Sequence, residues 1–343
     1  MVFEGLTAPL DRGLNNFKWN LIDSMVKLSY SFEYEIEPIA PYNFDLTVKK
    51  PAGWPLFTPF EVYEKGTIWT ATHLRGVLVG IKLMSMGTTE LPRINAQLFI
   101  KSEPKPEQLN EIKQSLVHDL SANGDLAEFY QLAQSDSILK LVIEDLYGMH
   151  STSSSTVFPD ALLAILLQMT TFKRSDEMMS CLITKYGEVA EFDGQKVRIW
   201  PLPKAIAKHD APELAKACNL GYRAKFIANL ARKLESEKFP TTGELEKLTP
   251  EEAKGRLLDL PGIGDYSADI INPHGGFPID AWSVDVFGKL FYGEEPKDRR
   301  KAIEEIKKEG LRRWGKWSWM AFFYVVQDLD NLSKKLKIEL RRE

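Results

Sequence analysis

The stretch from Leu257 to Val286, LLDLPGIGDYSADIINPHGGFPIDAWSVDV, decides the fold of this chain. A helix is predicted over 250–258, followed by the hairpin LPGIG at 260–264 and by a second helix over 265–272. A glycine-rich loop then leads to Pro278-Ile279-Asp280. The pattern predicts two helices joined by a tight turn, and a single carboxylate delivered soon afterwards at the start of a further helix.

The hairpin has the composition of an anion site. Pro261 has no N–H with which to continue the first helix, and Gly262 and Gly264 permit backbone angles that other residues avoid. The two glycines also leave no Cβ between the main chain and a ligand. The second helix directs its free N–H groups and the positive end of its dipole at the hairpin, which favours a phosphate. The alternative is a plain helix–helix turn in which Ile263 fills a core.

Asp280 lies sixteen residues beyond Gly264 and two residues after a proline. At a helix start an Asp is ordinarily an N-cap. A phosphate-holding hairpin, one helix and one carboxylate form a more specific combination. Together they resemble the signature of the helix-hairpin-helix DNA glycosylase superfamily, which 260–264, Gly275-Gly276, Pro278 and Asp280 match.

The resemblance extends over about residues 25–330. The runs at 125–130 and 158–170 are similar to the 3-methyladenine DNA glycosylase II branch, and Leu220-Gly221-Tyr222-Arg223-Ala224-Lys225 is similar to a run in the 8-oxoguanine branch. The resemblance implies an α+β fold, in which an antiparallel, TBP-like β-sheet domain precedes an all-α body with the helix-hairpin-helix.

Sequence patterns favour the same order, with strands first and helices afterwards. The run at 43–48 is one of the segments predicted as strand-like in the first hundred residues. The predicted divisions are an N-terminal extension (1–25), an antiparallel sheet domain with flanking helices (26–120) and a helical glycosylase domain (121–343) with its hairpin at 257–272 and its catalytic loop at 273–286.

Composition narrows the class of protein. The chain has 343 residues, of which 44% are hydrophobic and 27% charged, as in an ordinary globular protein. The longest apolar runs, 161–169 and 319–326, are too short to cross a bilayer. We see no signal peptide at the N-terminus, so an intracellular protein with no membrane partner is expected.

Cysteine and charge content add two further expectations. Cys181 and Cys218 are far apart in sequence, which argues against a disulfide framework or a zinc site, and we interpret them as core thiols. Two cysteines cannot hold the four-cysteine iron–sulfur cluster of one glycosylase branch.

The net charge is −4, yet residues 296–343 hold 14 Lys and Arg against 8 Asp and Glu, so they carry +6 and the rest −10. This basic segment can line a phosphate path or be an ordinary solvated surface.

The resemblance assigns DNA-binding roles by position, with double-stranded DNA containing a damaged base as the partner of a monomeric protein. The main-chain N–H groups of Gly262, Gly264 and Tyr266 are implied to grip a phosphate. The main-chain carbonyls implied to hold a monovalent cation (Na⁺ or K⁺) are those of Leu258, Leu260 and Ile263. No other cofactor is expected.

A second DNA-contacting turn is implied at Gln168, Met169 and Thr170, where family members fill the gap left by an everted nucleotide. Met169 would be an apolar wedge between bases. The alternative interpretation is a polar helix end that follows a buried helix.

Asp280 is implied to act on the sugar. As the base leaves, the deoxyribose gains positive charge, which a carboxylate stabilises while it orients or deprotonates a water. Asp285, deeper in the same predicted helix, is the rival carboxylate. Tyr266 occupies the position at which lyase-active members carry a nucleophilic lysine, and a phenol cannot form an imine. A monofunctional enzyme is therefore predicted, with Lys225 and Lys289 as substitutes that do not match the motif.

Base choice stays open between several lesions. Alkylated purines such as 3-methyladenine carry positive charge, which aromatic rings attract. The candidate pocket aromatics are Phe172, Tyr222, Tyr266, Trp282 and, from the sheet domain, Trp69. The alternatives are 8-oxoguanine, hypoxanthine or a deaminated pyrimidine on the same fold, and, in another class, a protein that binds lesions without catalysis. His274 is interpreted as a loop residue, with a phosphate contact as the alternative.

Overall fold

The computed structural model describes residues 25–340 apart from residue 54, and the side chain of Phe172 is also outside the described part. Except for Met25, the predicted N-terminal extension over 1–25 lies outside the described residues. The described chain is a mixture of α-helices and β-strands, which confirms the predicted α+β class.

Eight strands form two sheets. They are β1 (Met25–Lys27), β2 (Tyr30–Ile36), β3 (Val62–Glu64), β4 (Thr67–Leu74), β5 (Val77–Ser85), β6 (Ile94–Ile100), β7 (Val189–Phe192) and β8 (Gln195–Arg198). The larger sheet is antiparallel and has the order β2-β6-β5-β4-β3. Paired residues on neighbouring strands point to the same face of this sheet, and Ile81 and Leu98 at its centre are paired and both buried. A shift of the pairing by one residue would turn one of them out of the core, so burial fixes the register.

Sixteen α-helices are present in the part of the chain that is described. They are α1 (Phe44–Lys49), α2 (Pro106–Asp119), α3 (Ala127–Ser135), α4 (Leu139–Leu146), α5 (Val157–Leu167), α6 (Phe172–Tyr186), α7 (Pro203–Ala207), α8 (Ala211–Cys218), α9 (Arg223–Ser236), α10 (Thr242–Leu245), α11 (Pro250–Leu258), α12 (Asp265–Ile271), α13 (Ser283–Tyr292), α14 (Arg299–Trp314), α15 (Ser318–Gln327) and α16 (Leu329–Leu336). A 3₁₀ turn at Gly315–Trp317 joins α14 to α15. Among the residues described, no helix is long and apolar enough to span a bilayer.

Two separate apolar cores hold the helices together. The first core contains buried residues of α5, α6, α8, α9, α11 and α12, including Leu260 and Ile263 of the hairpin. The second contains residues of α3, α4, α13, α14, α15 and α16, together with Phe277 and Ile279. The loop after α12 therefore carries the chain from one core to the other, and Asp280 follows directly on the residues that enter the second core. A third core lies under the large sheet.

Two secondary-structure predictions are wrong. The run at 43–48 is not a strand, because the side chain of Asn43 accepts a hydrogen bond from the Leu46 N–H at 3.1 Å and so caps α1. The body is not all-α, because β7 and β8 form a hairpin within it, and β1 adds to that hairpin in parallel. This small sheet packs on the large one, where Phe192 lies so close to Gly80 that any side chain at residue 80 would clash with its ring.

The cysteine prediction is also wrong. Cys181 and Cys218 form a disulfide, with Cα atoms 5.5 Å apart and a separation of 37 positions in sequence. Cys181 belongs to α6 and Cys218 ends α8. The two helices pack against each other in the first core, so distance in sequence does not separate the sulfurs in space.

Candidate functional site

The hairpin between α11 and α12 has the predicted form. α11 starts with a capping box between Thr249 and Glu252, and it ends at Leu258. Gly262 has φ +82°, and a Cβ there would lie 2.6 Å from the Cβ of Phe226, so neither the backbone angle nor the space admits another residue. Gly262 is therefore required by the turn itself.

Gly264 does not adopt the glycine-only backbone angles that the sequence predicts for it. Its φ is −101°, an angle open to any residue, and a Cβ on it would meet nothing within 4 Å. The glycine is thus not required by backbone conformation or by packing in the protein. The open space lies on the outer side of the turn, where a ligand can approach the main chain.

The N-terminus of α12 has no side-chain cap. Thr171, Asp210 and Thr249 each accept a hydrogen bond from the first turn of α6, α8 and α11, whereas the N-cap residue of α12 is Gly264, which has no side chain to do so. The first N–H groups of a helix have no partner within the helix. At α12 no side chain of the described residues caps these groups, which include the N–H of Tyr266, so an external acceptor can bind them.

Asp280 is half-buried and held by the residues that follow it. Its Oδ1 accepts hydrogen bonds from the N–H of Trp282 at 3.1 Å, from the N–H of Ser283 at 2.8 Å and from Ser283 Oγ at 2.7 Å. Ser283 Oγ in turn accepts from the N–H of Asp280 at 2.8 Å. One carboxylate oxygen is thus fixed by a reciprocal cap on α13, and the other is not engaged in that cap.

Tyr266 faces the same carboxylate. Burial raises the pKa of the Tyr266 phenol above its ordinary value, and the charge of Asp280 and a side-chain hydrogen bond to it raise the pKa further. The phenol therefore stays protonated and can donate to Asp280. The structure thus brings together the residue at the lyase position and the candidate catalytic carboxylate, which are fourteen residues apart in sequence.

The rival residues are engaged elsewhere. Asp285 is paired with the Arg299 guanidinium, whose Nε lies 2.9 Å from Oδ1 and whose Nη2 lies 2.5 Å from Oδ2. Lys289 is 2.8 Å from both Glu295 Oε1 and the carbonyl oxygen of Glu339. Lys225 is exposed on the first turn of α9. None of the three contacts Asp280 in the described residues.

The turn between α5 and α6 projects from the surface beside the hairpin. Met169 has φ +47° and an exposed fraction of 86%, while Thr170 is half-buried behind it. Gln168 Nε2 donates to the carbonyl oxygen of Gly262 at 2.7 Å and to Ser267 Oγ at 3.3 Å. An apolar side chain held out into solvent by a turn that is tied to the hairpin is the geometry expected of a wedge.

Tyr222 lies beside this turn and is 52% exposed. Its Oη donates to the carbonyl oxygen of Gln168 at 3.5 Å, and the guanidinium of Arg223 lies 4.7 Å from the ring centroid. Arg223 also donates to the Gln168 carbonyl oxygen. Tyr222 therefore lies on the outer surface beside the turn at 168–170, which we call the wedge turn after its predicted role, and a contact of Tyr222 with the base or between bases stays a prediction.

The remaining candidates fall in different places. Trp282 is half-buried at the start of α13 and packs on the second core. Trp69 donates to Asp193 Oδ2 at 2.7 Å, within the contact between the two sheets. His274 Nε2 lies 3.2 Å from the carbonyl oxygen of Leu245, as expected of a loop residue. Phe172 begins α6, and its side chain lies outside the described part.

The three hairpin carbonyls differ in their hydrogen bonds. The Leu260 carbonyl oxygen accepts from the Ile263 N–H at 3.1 Å. Among the main-chain bonds of the described residues outside regular helices and strands, none ends on the carbonyl oxygens of Leu258 or Ile263. Carbonyl oxygens that accept none of these hydrogen bonds are suitable ligands for a hard cation.

Ser283 and Arg223 are the site residues that sequence analysis missed. Ser283 stands three residues after Asp280, which is the spacing of a reciprocal helix cap, so the signal was available. Arg223 was part of the run that resembles the 8-oxoguanine branch. Its contact with the Gln168 carbonyl joins residues 55 apart, which the sequence alone does not indicate.

Comparison with known proteins is consistent with this geometry. No protein-family profile matches the chain. Its similar proteins include DNA-3-methyladenine glycosylase of Bacillus subtilis, 22% identical over 241 residues, which are 67% of this chain and 78% of that protein. A probable N-glycosylase/DNA lyase of Methanothermobacter thermautotrophicus is 22% identical over 211 residues, which are 55% of this chain and 67% of that protein.

Solved structures of similar fold come from the same group. The 3-methyladenine DNA glycosylase of Archaeoglobus fulgidus aligns with a TM-score of 0.68 and 21% identity, over 89% of this chain and all of the other. A Clostridium acetobutylicum 8-oxoguanine glycosylase/lyase, solved with DNA containing cytosine opposite 8-oxoguanine, aligns with a TM-score of 0.64 and 15% identity, over 91% and 99%. These proteins confirm the resemblance drawn from the hairpin and from both glycosylase branches.

Proposed function

We propose that this protein is a monofunctional DNA glycosylase of base excision repair. It everts a damaged nucleotide from duplex DNA and hydrolyses the N-glycosidic bond, with alkylated purines such as 3-methyladenine as the substrate class. The observation that supports the proposal most strongly is the position of Asp280. Ser283 holds one of its carboxylate oxygens, and the residue lies where the chain passes from the first core, which contains the hairpin, to the second core.

The chain's own residues supply each step. The N–H groups at the start of α12 hold a phosphate of the strand, because no side chain caps them. Met169 enters the space that the everted nucleotide leaves. Asp280 then stabilises the positive charge that develops on the sugar and orients a water towards C1′. Opening a base pair costs a few kcal/mol, and damaged bases cost less, which contributes to selection.

A monovalent cation at the hairpin fits the residues present. Among the main-chain hydrogen bonds of the described residues outside helices and strands, none ends on the carbonyl oxygens of Leu258 or Ile263. The carbonyl oxygen of Leu260 adds a third possible ligand. Bound there, the cation would supply positive charge for the phosphate that the N–H groups hold. Na⁺ or K⁺ suits such neutral oxygen ligands.

Hydrolysis without strand cleavage follows from the residue at position 266. Tyr266 has no amine with which to form an imine, and burial and Asp280 keep its phenol protonated. The name of the Methanothermobacter relative includes a lyase activity. We assign no such activity to this chain, since Lys225 is exposed on α9 and Lys289 is paired with Glu295, and neither lysine matches the motif position.

Alkylated purines are the first choice of substrate, and 8-oxoguanine is the second. The first rests on the aromatic residue Tyr266, whose phenol faces Asp280, and on Trp282, which lies two residues after Asp280, because a cationic base is attracted to ring faces. The second rests on the run at 220–225 and on the fold shared with 8-oxoguanine glycosylases. A protein that only binds lesions would have no use for the carboxylate fixed by Ser283.

The test is a panel of end-labelled duplexes, each with one modified base, incubated with the wild type and with Asp280→Asn. The panel contains 3-methyladenine or a stable analogue, hypoxanthine, uracil and 8-oxoguanine. We expect alkali-labile sites at the alkylated purine with the wild type alone, and intact strands when alkali is omitted. If the protein binds every duplex but produces no alkali-labile site in any of them, that result contradicts an enzymatic function.

A further inference from the structure

Asp269 is a buried carboxylate between the hairpin and the catalytic loop. It lies one turn beyond Asp265 in α12 and is 2% exposed. A buried carboxylate is rarely left without a cation. Here two lysines provide it: Lys254 Nζ lies 2.8 Å from Oδ1, and Lys307 Nζ lies 2.5 Å from Oδ2.

The two lysines come from different parts of the body. Lys254 belongs to α11, the helix that leads into the hairpin and packs on the first core. Lys307 belongs to α14, which packs on the second core. Asp269 therefore links the two cores by charge, close to the point at which the chain passes from one to the other.

The same side chain is in contact with the catalytic loop. A Cβ placed on Gly276 would lie 2.7 Å from both Cγ and Oδ1 of Asp269, so the loop backbone approaches the carboxylate as closely as glycine allows. Gly276 is also held by Ser318 Oγ, which donates to its carbonyl oxygen at 3.1 Å. Asp280 follows four residues later.

α14 fixes the next residue of this loop as well. Phe277 packs on Gly310, where an added Cβ would lie 2.3 Å from its ring. Gly310 is three residues beyond Lys307 in the same helix. One helix thus holds the loop through Phe277 and holds α12 through the ion pair with Asp269, so the separation between hairpin and loop depends on both contacts.

We infer that Asp269, with Lys254 and Lys307, is a positioning residue that sets the distance between the phosphate-binding hairpin and the Asp280 carboxylate. The inference rests on the proposed function. A DNA strand anchored at the hairpin presents its sugar to Asp280 only if that distance is kept. Misplacement of a reacting group by about 1 Å can lower a rate by roughly a hundredfold.

Asp265 provides a matched control. It pairs with the same two lysines, at 2.8 Å from Lys254 and 2.7 Å from Lys307, but its side chain is 61% exposed. Gly276 has Asp269, and not Asp265, among the atoms nearest to its added Cβ. Asp265→Asn keeps the main-chain N–H groups at the start of α12, so it removes one partner of the lysines without disturbing the phosphate-binding backbone or the contact with the loop.

The experiment compares wild type, Asp269→Asn, Lys307→Met and Asp265→Asn. Single-turnover excision is measured on the duplex that the wild type cleaves best, and affinity is measured on the same duplex with a tetrahydrofuran abasic analogue. We expect Asp269→Asn and Lys307→Met to lower the rate constant by about ten- to a hundredfold, with Kd within about threefold of wild type. Asp265→Asn should stay within about twofold in rate.

The double variant Asp269→Asn/Lys307→Met should be less impaired than the product of the two single effects, because both changes remove the Asp269–Lys307 ion pair. An unchanged rate in Asp269→Asn overturns the inference. So does an equal fall in rate and affinity, with a lowered melting temperature, in both Asp269→Asn and Lys307→Met, since that result indicates a purely structural role. If the wild type itself excises no base, the proposed function is wrong. That result is distinguishable from an active wild type whose rate is unchanged in Asp269→Asn, which overturns the inference alone.

Discussion

Gln168 donates a hydrogen bond from Nε2 to the carbonyl oxygen of Gly262, at 2.7 Å, across 94 residues of sequence. The bond ties the wedge turn to the hairpin, so the two elements proposed to contact DNA form one unit. The Gly262 carbonyl is used inside the protein, while the N–H groups at the start of α12 stay available outside.

Loss of this bond is expected to weaken base eversion. Gln168→Met keeps the length of the side chain but leaves the Gly262 carbonyl without its donor, which costs about 1–3 kcal/mol when the group is buried. We expect single-turnover excision to fall by about tenfold, with a smaller change in overall duplex affinity. Fluorescence of a 2-aminopurine placed next to the lesion reports eversion, and an unchanged signal would contradict the link.

The two hairpin glycines should respond differently to alanine. Gly262→Ala forces a Cβ onto Phe226 at φ +82° and is expected to destabilise the fold by about 1–3 kcal/mol. Gly264→Ala meets no protein atom and leaves an ordinary φ, so stability should change by less than about 0.5 kcal/mol.

Gly264→Ala should nevertheless weaken DNA binding, because its methyl group enters the space through which a phosphate approaches. Urea denaturation and binding to an abasic-analogue duplex separate the two effects. Normal affinity in a stable Gly264→Ala protein would place the duplex elsewhere on the surface.

Tyr266 offers a test of the chemical subclass. The wild type should give no covalent adduct when borohydride is added during reaction, because a phenol cannot form an imine. Tyr266→Lys places an amine where the phenol faces Asp280 and should yield a trapped protein–DNA adduct. Denaturing electrophoresis with labelled DNA detects it, and Tyr266→Phe is the control. A trapped adduct with the wild type would overturn the monofunctional assignment.

A pH-dependent effect on stability is expected at Asp160. Burial, with the charge of Asp119, raises the pKa of Asp160 to about 7, against about 3.9 in an unfolded chain. The folded state therefore keeps this proton to higher pH. The contribution to stability is complete below about pH 4 and is lost as the pH rises through about 7.

Asp160→Asn mimics the protonated form, so it should raise the melting temperature at pH 8 by about 4 °C and leave it nearly unchanged at pH 4. Scanning calorimetry at both pH values makes the comparison. The same small difference between variant and wild type at both pH values would show that Asp160 does not hold its proton in the folded state.

Local signals predicted the hairpin well. Pro261, the glycines and the apolar residues around them determine α11, the turn and α12 within one residue of the observed bounds. The β7–β8 hairpin was missed although Asp193-Gly194, a strong turn signal, stands between its strands. The run at 43–48 was misread because its β-branched residues outweighed the cap at Asn43.

Long-range packing accounts for what could not be predicted. The Cys181–Cys218 disulfide depends on how α6 meets α8, and the hydrogen bond of Gln168 depends on how the wedge turn meets the hairpin. Asp269 carries no signal in sequence, because its two lysines lie in separate helices. The ligand-facing role of Gly264 stays a prediction, and its φ of −101° shows that backbone conformation does not require a glycine there.

The most direct test of the central claim is single-turnover excision by Asp280→Asn, beside Asp285→Asn as the matched control. Both proteins should bind an abasic-analogue duplex with Kd within about threefold of wild type, since neither change alters the hairpin. Asp280→Asn should excise the modified base at least about a thousandfold more slowly, while Asp285→Asn retains most of the activity. Near-normal excision by Asp280→Asn would contradict the role of this carboxylate and the mechanism built on it.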